Sequence, residues 1–409
     1  MHDIGSFAMW DSYRRKRNHL LIGLMSGTSL DGVDAALVSI KSDTSGTLME
    51  VSLTDYVCVP YSDELRKIVL DLCSLEHSRI DLLVKAHFGI SEWYAYTVKR
   101  LLKSARLNRK DVDAICMHGQ TIWHAPDVQL FPGPETDFEV RSTLQIGEIS
   151  VVRERTGIPV IGNFRSRDMA AGGEGAPLAP YLDALLFGSP DEGRIVQNIG
   201  GIGNATVIPA GYNRERISAF DTGPGNMVID AIVRAETNGS QQYDPEGSIA
   251  AAGQINQELL DIFMADPYFI RKPPKSTGRE VYGADFAAHF LGEANQRSLS
   301  FADTVATATA LTSESIVRAM EDFVLPETTI AKVLACGGGS SNKTLMSLIR
   351  QRLPQGISLG TTAEIGIPDD AREAIAFAVL GHESLMGHPS NLPTVTGAAR
   401  SVILGSMSL

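Results

Sequence analysis

The chain has 409 residues, of which 44% are hydrophobic and 21% charged, a composition that fits a globular protein and excludes a disordered or fibrous one. Its length favours two domains over a single small module. With 36 Lys and Arg against 48 Asp and Glu the formal charge is -12, which repels a phosphate backbone; no local basic patch offsets it, so nucleic acid is not an expected partner.

The N-terminus, Met1 to Asn18, carries Trp10 and the cluster Arg14-Arg15-Lys16-Arg17 but no apolar run long enough for a signal peptide. No stretch approaches the roughly 20 consecutive apolar residues that span a bilayer. A cytoplasmic protein without membrane contact is expected. The four cysteines, Cys58, Cys73, Cys116 and Cys336, lack close-paired spacing and read as reduced core thiols, two of them inside apolar runs.

Strands and helices alternate along the chain, which predicts an α/β architecture. Leu20 to Met25 reads as a strand that meets Ser26-Gly27-Thr28-Ser29 and Asp31-Gly32, after which Val33 to Ile40 resumes as a second strand. Ala114 to Met117 is a strand ending in His118-Gly119-Gln120-Thr121, and Ile158 to Gly162 one that runs into a Gly-rich loop. The opening device then recurs: Arg194 to Ile199 is broken by Gly200-Gly201-Ile202-Gly203 and resumes as Asn204 to Ile208. Ile217 to Phe220 ends in Asp221-Thr222-Gly223-Pro224-Gly225-Asn226 ahead of a helix over Met227 to Arg234. Lys332 to Cys336 ends in Gly337-Gly338-Gly339-Ser340-Ser341-Asn342 ahead of a helix over Leu345 to Leu353, and Asp370 to Leu385 is a core helix. Two similar halves, 19–190 with 374–409 and 191–373, are expected to leave a cleft between them.

No GxxxxGK[ST], no GxGxxG after a strand, no HExxH and no CxxC occurs. What remains is three small-residue turns at strand ends, at Ser26 to Asp31, Asp221 to Asn226 and Gly337 to Asn342. A loop without Cβ atoms lets backbone N–H groups approach phosphate oxygens. One such turn is weak evidence, whereas three on a repeated scaffold point to a phosphate-bearing ligand.

These segments carry a resemblance. Gly23 to Asp34, His118 to Thr121, Arg165 to Pro177, Asn198 to Asn204, Phe220 to Asn226, Pro274 to Glu280, Cys336 to Ser340 and Asn391 to Gly397 look like the anhydro-N-acetylmuramic acid kinases, in family order over nearly the whole chain. The resemblance implies the sugar kinase, Hsp70 and actin fold, two duplicated ribonuclease H-like domains closing over ATP. It also implies the activity: opening a 1,6-anhydro bridge with water and moving the γ-phosphoryl group of ATP to the freed O6.

By the same resemblance Ser26, Gly27, Thr28 and Ser29 belong to the first phosphate loop, and Asp221, Gly223, Gly225 and Asn226 to the second. Gly337, Gly338, Gly339 and Ser340 form the adenosine-side loop. Asp168 falls on the family's general base, which activates the attacking water; the residues alone read it rather as a helix N-cap ahead of Met169-Ala170-Ala171. Asp31 and Glu373 resemble the carboxylates that hold Mg²⁺, with Asp221 third. His118, Gly119, Gln120, Thr121 and Arg165 look like the sugar site, and Arg167 is a further candidate for ligand contact. Glu148 and Glu174 depart from the usual family residues, Asp and Gln, and bear on which sugar is taken. The implied partners are an anhydrosugar and ATP, a homodimer being left open. Levoglucosan kinase is the near alternative, and a non-enzymatic Hsp70- or actin-like switch the alternative of another class.

Overall fold

The computed structural model describes residues 4–27, 29–211 and 213–409, and of residues 4–9 the backbone only. The chain divides into two compact units, one formed by the residues up to Leu186 with Gly366–Leu409, the other by Phe187–Ile365.

The first unit is built on β1 (Asn18–Ser26), β2 (Gly32–Ser42), β3 (Leu48–Pro60), β4 (Ala114–Phe131), β5 (Phe138–Ile146) and β6 (Val160–Gly162). β1, β2 and β3 form an antiparallel meander, whereas β4 pairs parallel with β1 and β6 parallel with β4. The C-terminal strand Ser406–Ser408 closes the edge beside β6, and β5 pairs with β4. Period-two alternation sends Ile22 and Leu24 of β1 into a core that includes Ile90, Tyr94, Val98 and Leu101 of the long helix Ile80–Ala105.

In the second unit β7 (Arg194–Ile199), β8 (Ile202–Ile208) and β9 (Ser218–Pro224) form the same antiparallel meander. β10 (Lys332–Cys336) then pairs parallel with β7, and β11 (Ser358–Thr361) parallel with β10. Apart from β5 and the C-terminal strand, the first sheet runs β3–β2–β1–β4–β6 and the second β9–β8–β7–β10–β11, the same order with only the second strand of the five reversed. This is the duplicated ribonuclease H-like architecture. The helix Phe301–Phe323 is buried along most of its length, packing Ala308 and Leu311 against neighbouring helices and Ile316, Ala319 and Met320 toward the sheet.

Four expectations are corrected. His118 to Thr121 does not end a strand, because β4 continues to Phe131 through pairing with β5. The first residues of the Asp221 to Asn226 turn are strand, Asp221, Gly223 and Pro224 pairing with Asn204, Gly203 and Ile202. Asp168 is not an N-cap: it lies inside the helix Phe164–Ala170, which starts after Asn163 in the left-handed region at φ 58°. Of the four free thiols only Cys116 and Cys336 are buried, while Cys58 and Cys73 are exposed. Among the described residues no helix is long and apolar enough to cross a membrane.

Candidate active site

In the first unit the helix Phe164–Ala170 is short because Gly172, Gly173 and Gly175 follow it at once. It delivers Asp168 into a fully buried position. Three donors converge on the carboxylate. Asn391 Nδ2 at 2.7 Å and Thr396 Oγ1 at 2.8 Å donate to Oδ1, and the Gly175 N–H at 2.8 Å donates to Oδ2. Asn391 is itself held by the Val402 N–H, which donates to its Oδ1 at 2.7 Å. A Cβ on Gly173 would overlap Asp168 Oδ2, so only glycine lets the loop fold over the carboxylate. Two acceptor positions on Oδ1 are filled and one on Oδ2, which leaves Oδ2 a position for a further donor.

One turn earlier, Arg165 joins this cage to β4. Its Nε donates to His118 Nε2 at 3.0 Å and its Nη1 to the Gly175 carbonyl at 2.8 Å. Because His118 Nε2 accepts, the ring is neutral with its proton on Nδ1. Burial, with Arg165 adding, pushes His118 down to about 3. The ring packs on Phe377 at 4.8 Å between centroids. Burial also lowers the Arg165 guanidinium, while the charge of Glu373 opposes that shift.

The structure does not group Asp31 and Glu373 by any contact. Asp31 is exposed and lies 4.0 Å from Arg66 Nη2. Glu373 reaches solvent on the helix Asp369–Met386, yet enough protein packs around it to raise its carboxyl above the ordinary glutamate value; Arg372 opposes this and Asp34 adds to it. Asp34 is therefore the carboxylate whose charge Glu373 feels. Its Oδ1 accepts from Tyr56 Oη at 2.5 Å. Among the described residues no three His, Cys, Asp or Glu side chains form a ready-made metal cluster. Mg²⁺ does not demand one, since it is usually held by one or two carboxylates with waters and substrate phosphates.

The first turn is braced from beneath. Ser26 Oγ donates to the Gly119 carbonyl at 3.3 Å and meets the Tyr94 hydroxyl. Gln120 is buried, its Nε2 donating to the Gly27 carbonyl at 3.2 Å and its Oε1 accepting from Tyr61 Oη at 3.3 Å. The Gln120 amide is thus used within the protein, and Gly119 serves through its carbonyl. Thr121, like Ser29, does so little: its carbonyl accepts a long bond from Gln120 at 3.3 Å, and Ser29 is exposed. Leu30 sits in the left-handed region at φ 58°, unusual for a bulky side chain. Thr28 lies outside the described residues.

In the second unit backbone replaces side chains. The N–H groups of Gly225 and Asn226 donate to the carbonyls of Gly201 at 2.9 Å and Gly200 at 2.7 Å. Asn226 Nδ2 donates to the Ile199 carbonyl at 3.2 Å. Gly337, at φ 79°, would bring a Cβ within 2.5 Å of Asn198 Oδ1, and a Cβ on Gly339 would overlap Ile199. The loops at Gly200–Gly201, Gly223–Asn226 and Gly337–Ser340 therefore meet around the end of β7. Beside them Asp221 Oδ2 accepts from the Thr277 N–H at 2.9 Å, and burial raises its carboxyl. The Lys275 to Arg279 segment thus acquires a place: Lys275 is buried, its ammonium over the rings of Tyr268 and Phe323, each at 4.7 Å, and burial pushes it down to about 8.

Sequence reasoning missed Asn391, Thr396, Asp34 and Tyr94. The Asn391 to Gly397 segment stood out by its residues, but nothing local says that it grips a carboxylate more than 200 positions away. Of three residues weighed for the ligand, Glu148 caps the helix Ile149–Thr156, accepting from the Ser150 N–H at 2.9 Å, and Glu174 and Arg167 are exposed.

Comparison with known proteins identifies the family. The family model described as anhydro-N-acetylmuramic acid kinase matches residues 19–409. An anhydro-N-acetylmuramic acid kinase of Caldanaerobacter subterraneus subsp. tengcongensis is 44% identical over 394 residues, covering 96% of this chain and 98% of the relative. That of Salinibacter ruber is 42% identical over 395 residues, covering 97% of each. The chain belongs to the anhydro-N-acetylmuramic acid kinase family.

Proposed function

We propose that this protein uses ATP and water to convert 1,6-anhydro-N-acetylmuramic acid into N-acetylmuramic acid 6-phosphate and ADP, a step in recycling cell-wall sugar in the cytoplasm. The observation that carries the reading is Asp168, a carboxylate held by three donors with one acceptor position left on Oδ2. That position suits the proton of an attacking water. As the water oxygen bonds to the anomeric carbon, the C1–O6 bond breaks, the water's proton passes to Asp168, and O6 takes the γ-phosphoryl group as ADP leaves. Arg165, held by His118 and Gly175, presents a fixed cation one helical turn from the base.

ATP suits the glycine-lined loops of the second unit, whose small residues allow backbone N–H groups near phosphate oxygens. The braced first turn of the first unit is, taken by itself, a further phosphate loop. Mg²⁺ suits Asp31 and Glu373, with Asp34 beside Glu373; bound there, the ion neutralises charge on the phosphoryl oxygens. A nucleotide-driven switch without chemistry has no use for a caged carboxylate beside Arg165. The direct test measures ADP release with 1,6-anhydro-N-acetylmuramic acid and levoglucosan side by side. Turnover faster on levoglucosan overturns the substrate, and ADP release from neither overturns the activity. EDTA is expected to abolish turnover and Mg²⁺ to restore it, so full activity in metal-free buffer rejects the metal.

A further inference from the structure

Ser26 belongs to the first turn, yet its hydroxyl is not offered to a ligand. It is 1% exposed and lies between two protein groups, the Gly119 carbonyl at 3.3 Å and the Tyr94 hydroxyl. Either hydroxyl can donate in the contact between Ser26 and Tyr94; when the single serine proton goes to the Gly119 carbonyl, the tyrosine is the donor. Tyr94 is fully buried on the helix Ile80–Ala105, and burial raises its phenol well above the ordinary value, which keeps it protonated.

The same helix also fixes the turn after β5, where His87 Nδ1 accepts from the Gly147 N–H at 3.0 Å and Ser91 Oγ from the Glu148 N–H at 2.7 Å. A second phenol, Tyr61, supports the loop through Gln120 and the Gly27 carbonyl. The turn these groups hold contains Leu30 at φ 58°, a conformation that surrounding structure must impose.

We infer that Tyr94 is a positioning residue for nucleotide binding, acting through Ser26 to hold the first turn with its backbone set for phosphate. The inference rests on the reading of that turn as a phosphate loop. A core tyrosine of purely structural use would lose stability on change and leave nucleotide affinity alone. Tyr94→Phe keeps the ring and removes only the donor.

The experiment measures KM for ATP, kcat, melting temperature and the Kd of a non-hydrolysable ATP analogue for the wild type, Tyr94→Phe, Ser26→Ala and the double variant. One lost hydrogen bond predicts a rise of about 3- to 10-fold in both KM and Kd, with kcat less affected. Ser26→Ala should match Tyr94→Phe, and the double variant should be no worse than either. Should Tyr94→Phe fail to fold, Ser26→Ala carries the same test from the other end of the hydrogen bond. Wild-type KM and Kd in both single variants overturn the inference while leaving the phosphate-loop reading intact, and additive effects overturn action through Ser26. A wild-type protein that binds no nucleotide overturns the loop reading itself.

Discussion

The two units hold charge in different ways. In the first, a carboxylate, a guanidinium and an imidazole are locked by side-chain bonds: Asp168 by Asn391 and Thr396, Arg165 by His118. In the second, glycines let backbone approach backbone around the end of β7, and the bonds that hold the loops run from N–H to C=O. Side-chain cages place one reacting atom, whereas glycine loops follow the outline of a polyanion. On the proposed reading, one ribonuclease H-like strand order carries a caged base in one copy and glycine loops for a polyanion in the other.

The sharpest way to break this comparison is Asp168→Asn. Turnover should fall by at least about 100-fold, because the amide cannot take the water's proton. The cage adds a second effect: all three partners donate, so the new NH₂ must face a donor, either the Gly175 N–H or the Asn391 and Thr396 pair. The variant should therefore also melt at a lower temperature than the wild type. ADP release and calorimetry together check this; retained turnover removes the base, and an unchanged melting temperature removes the cage.

Gly337→Ala probes the other unit. At φ 79°, with Asn198 Oδ1 within 2.5 Å of the new Cβ, the loop must shift. Nucleotide affinity measured by titration calorimetry should drop about tenfold or more, since a strained loop costs roughly 1–3 kcal/mol. Near-unity change in nucleotide affinity would break the division of labour between the units.

How much of this was legible in the sequence depends on the range over which each feature is built. The hairpins β1–β2 and β7–β8 announce themselves, because buried apolar runs flank turns of small residues. The glycine loops are equally local. The cage is not: Asp168 meets Asn391 and Thr396 across 223 and 228 positions, and no periodicity encodes such a pairing. β4 was cut short for a related reason. Beyond Thr121 its residues are mixed and exposed, and only the cross-strand partners of β5 keep them extended. Gln120 shows the converse: it sits in a motif that reads as ligand-binding, and only the fold reveals that its amide bonds Gly27 and Tyr61.

Thr396→Val sharpens the picture of the cage at smaller cost. It keeps the shape and removes one of two donors to Oδ1, leaving Asn391 in place. A hydrogen bond to a charged group contributes about 1.5–3 kcal/mol, so turnover should fall about tenfold or somewhat more. Nucleotide affinity should not change, since the Thr396 hydroxyl bonds Asp168 and Leu392 and none of the phosphate loops. A loss of affinity equal to the loss of turnover would show that the two sites are not separable in this way.

The smallest effect concerns acid. His118 is buried and accepts from Arg165, and its folded value of about 3 lies below the ordinary 6.5 of the unfolded chain. As pH falls below 6.5 the unfolded chain takes up a proton that the folded one refuses, so stability is lost progressively until about pH 3, where the folded ring titrates too. His118→Asn removes this term while keeping a group able to accept from Arg165. At pH 7 the variant should be the less stable protein, having lost the ring packed on Phe377. Between pH 7 and pH 5 the gap should narrow by about 2 kcal/mol, from 1.36 kcal/mol per pH unit over the part of that interval below 6.5. Denaturant unfolding at the two pH values reads the gap directly. A gap that stays constant would mean that His118 is protonated in the folded protein near neutrality, and Arg165 could then not donate to it.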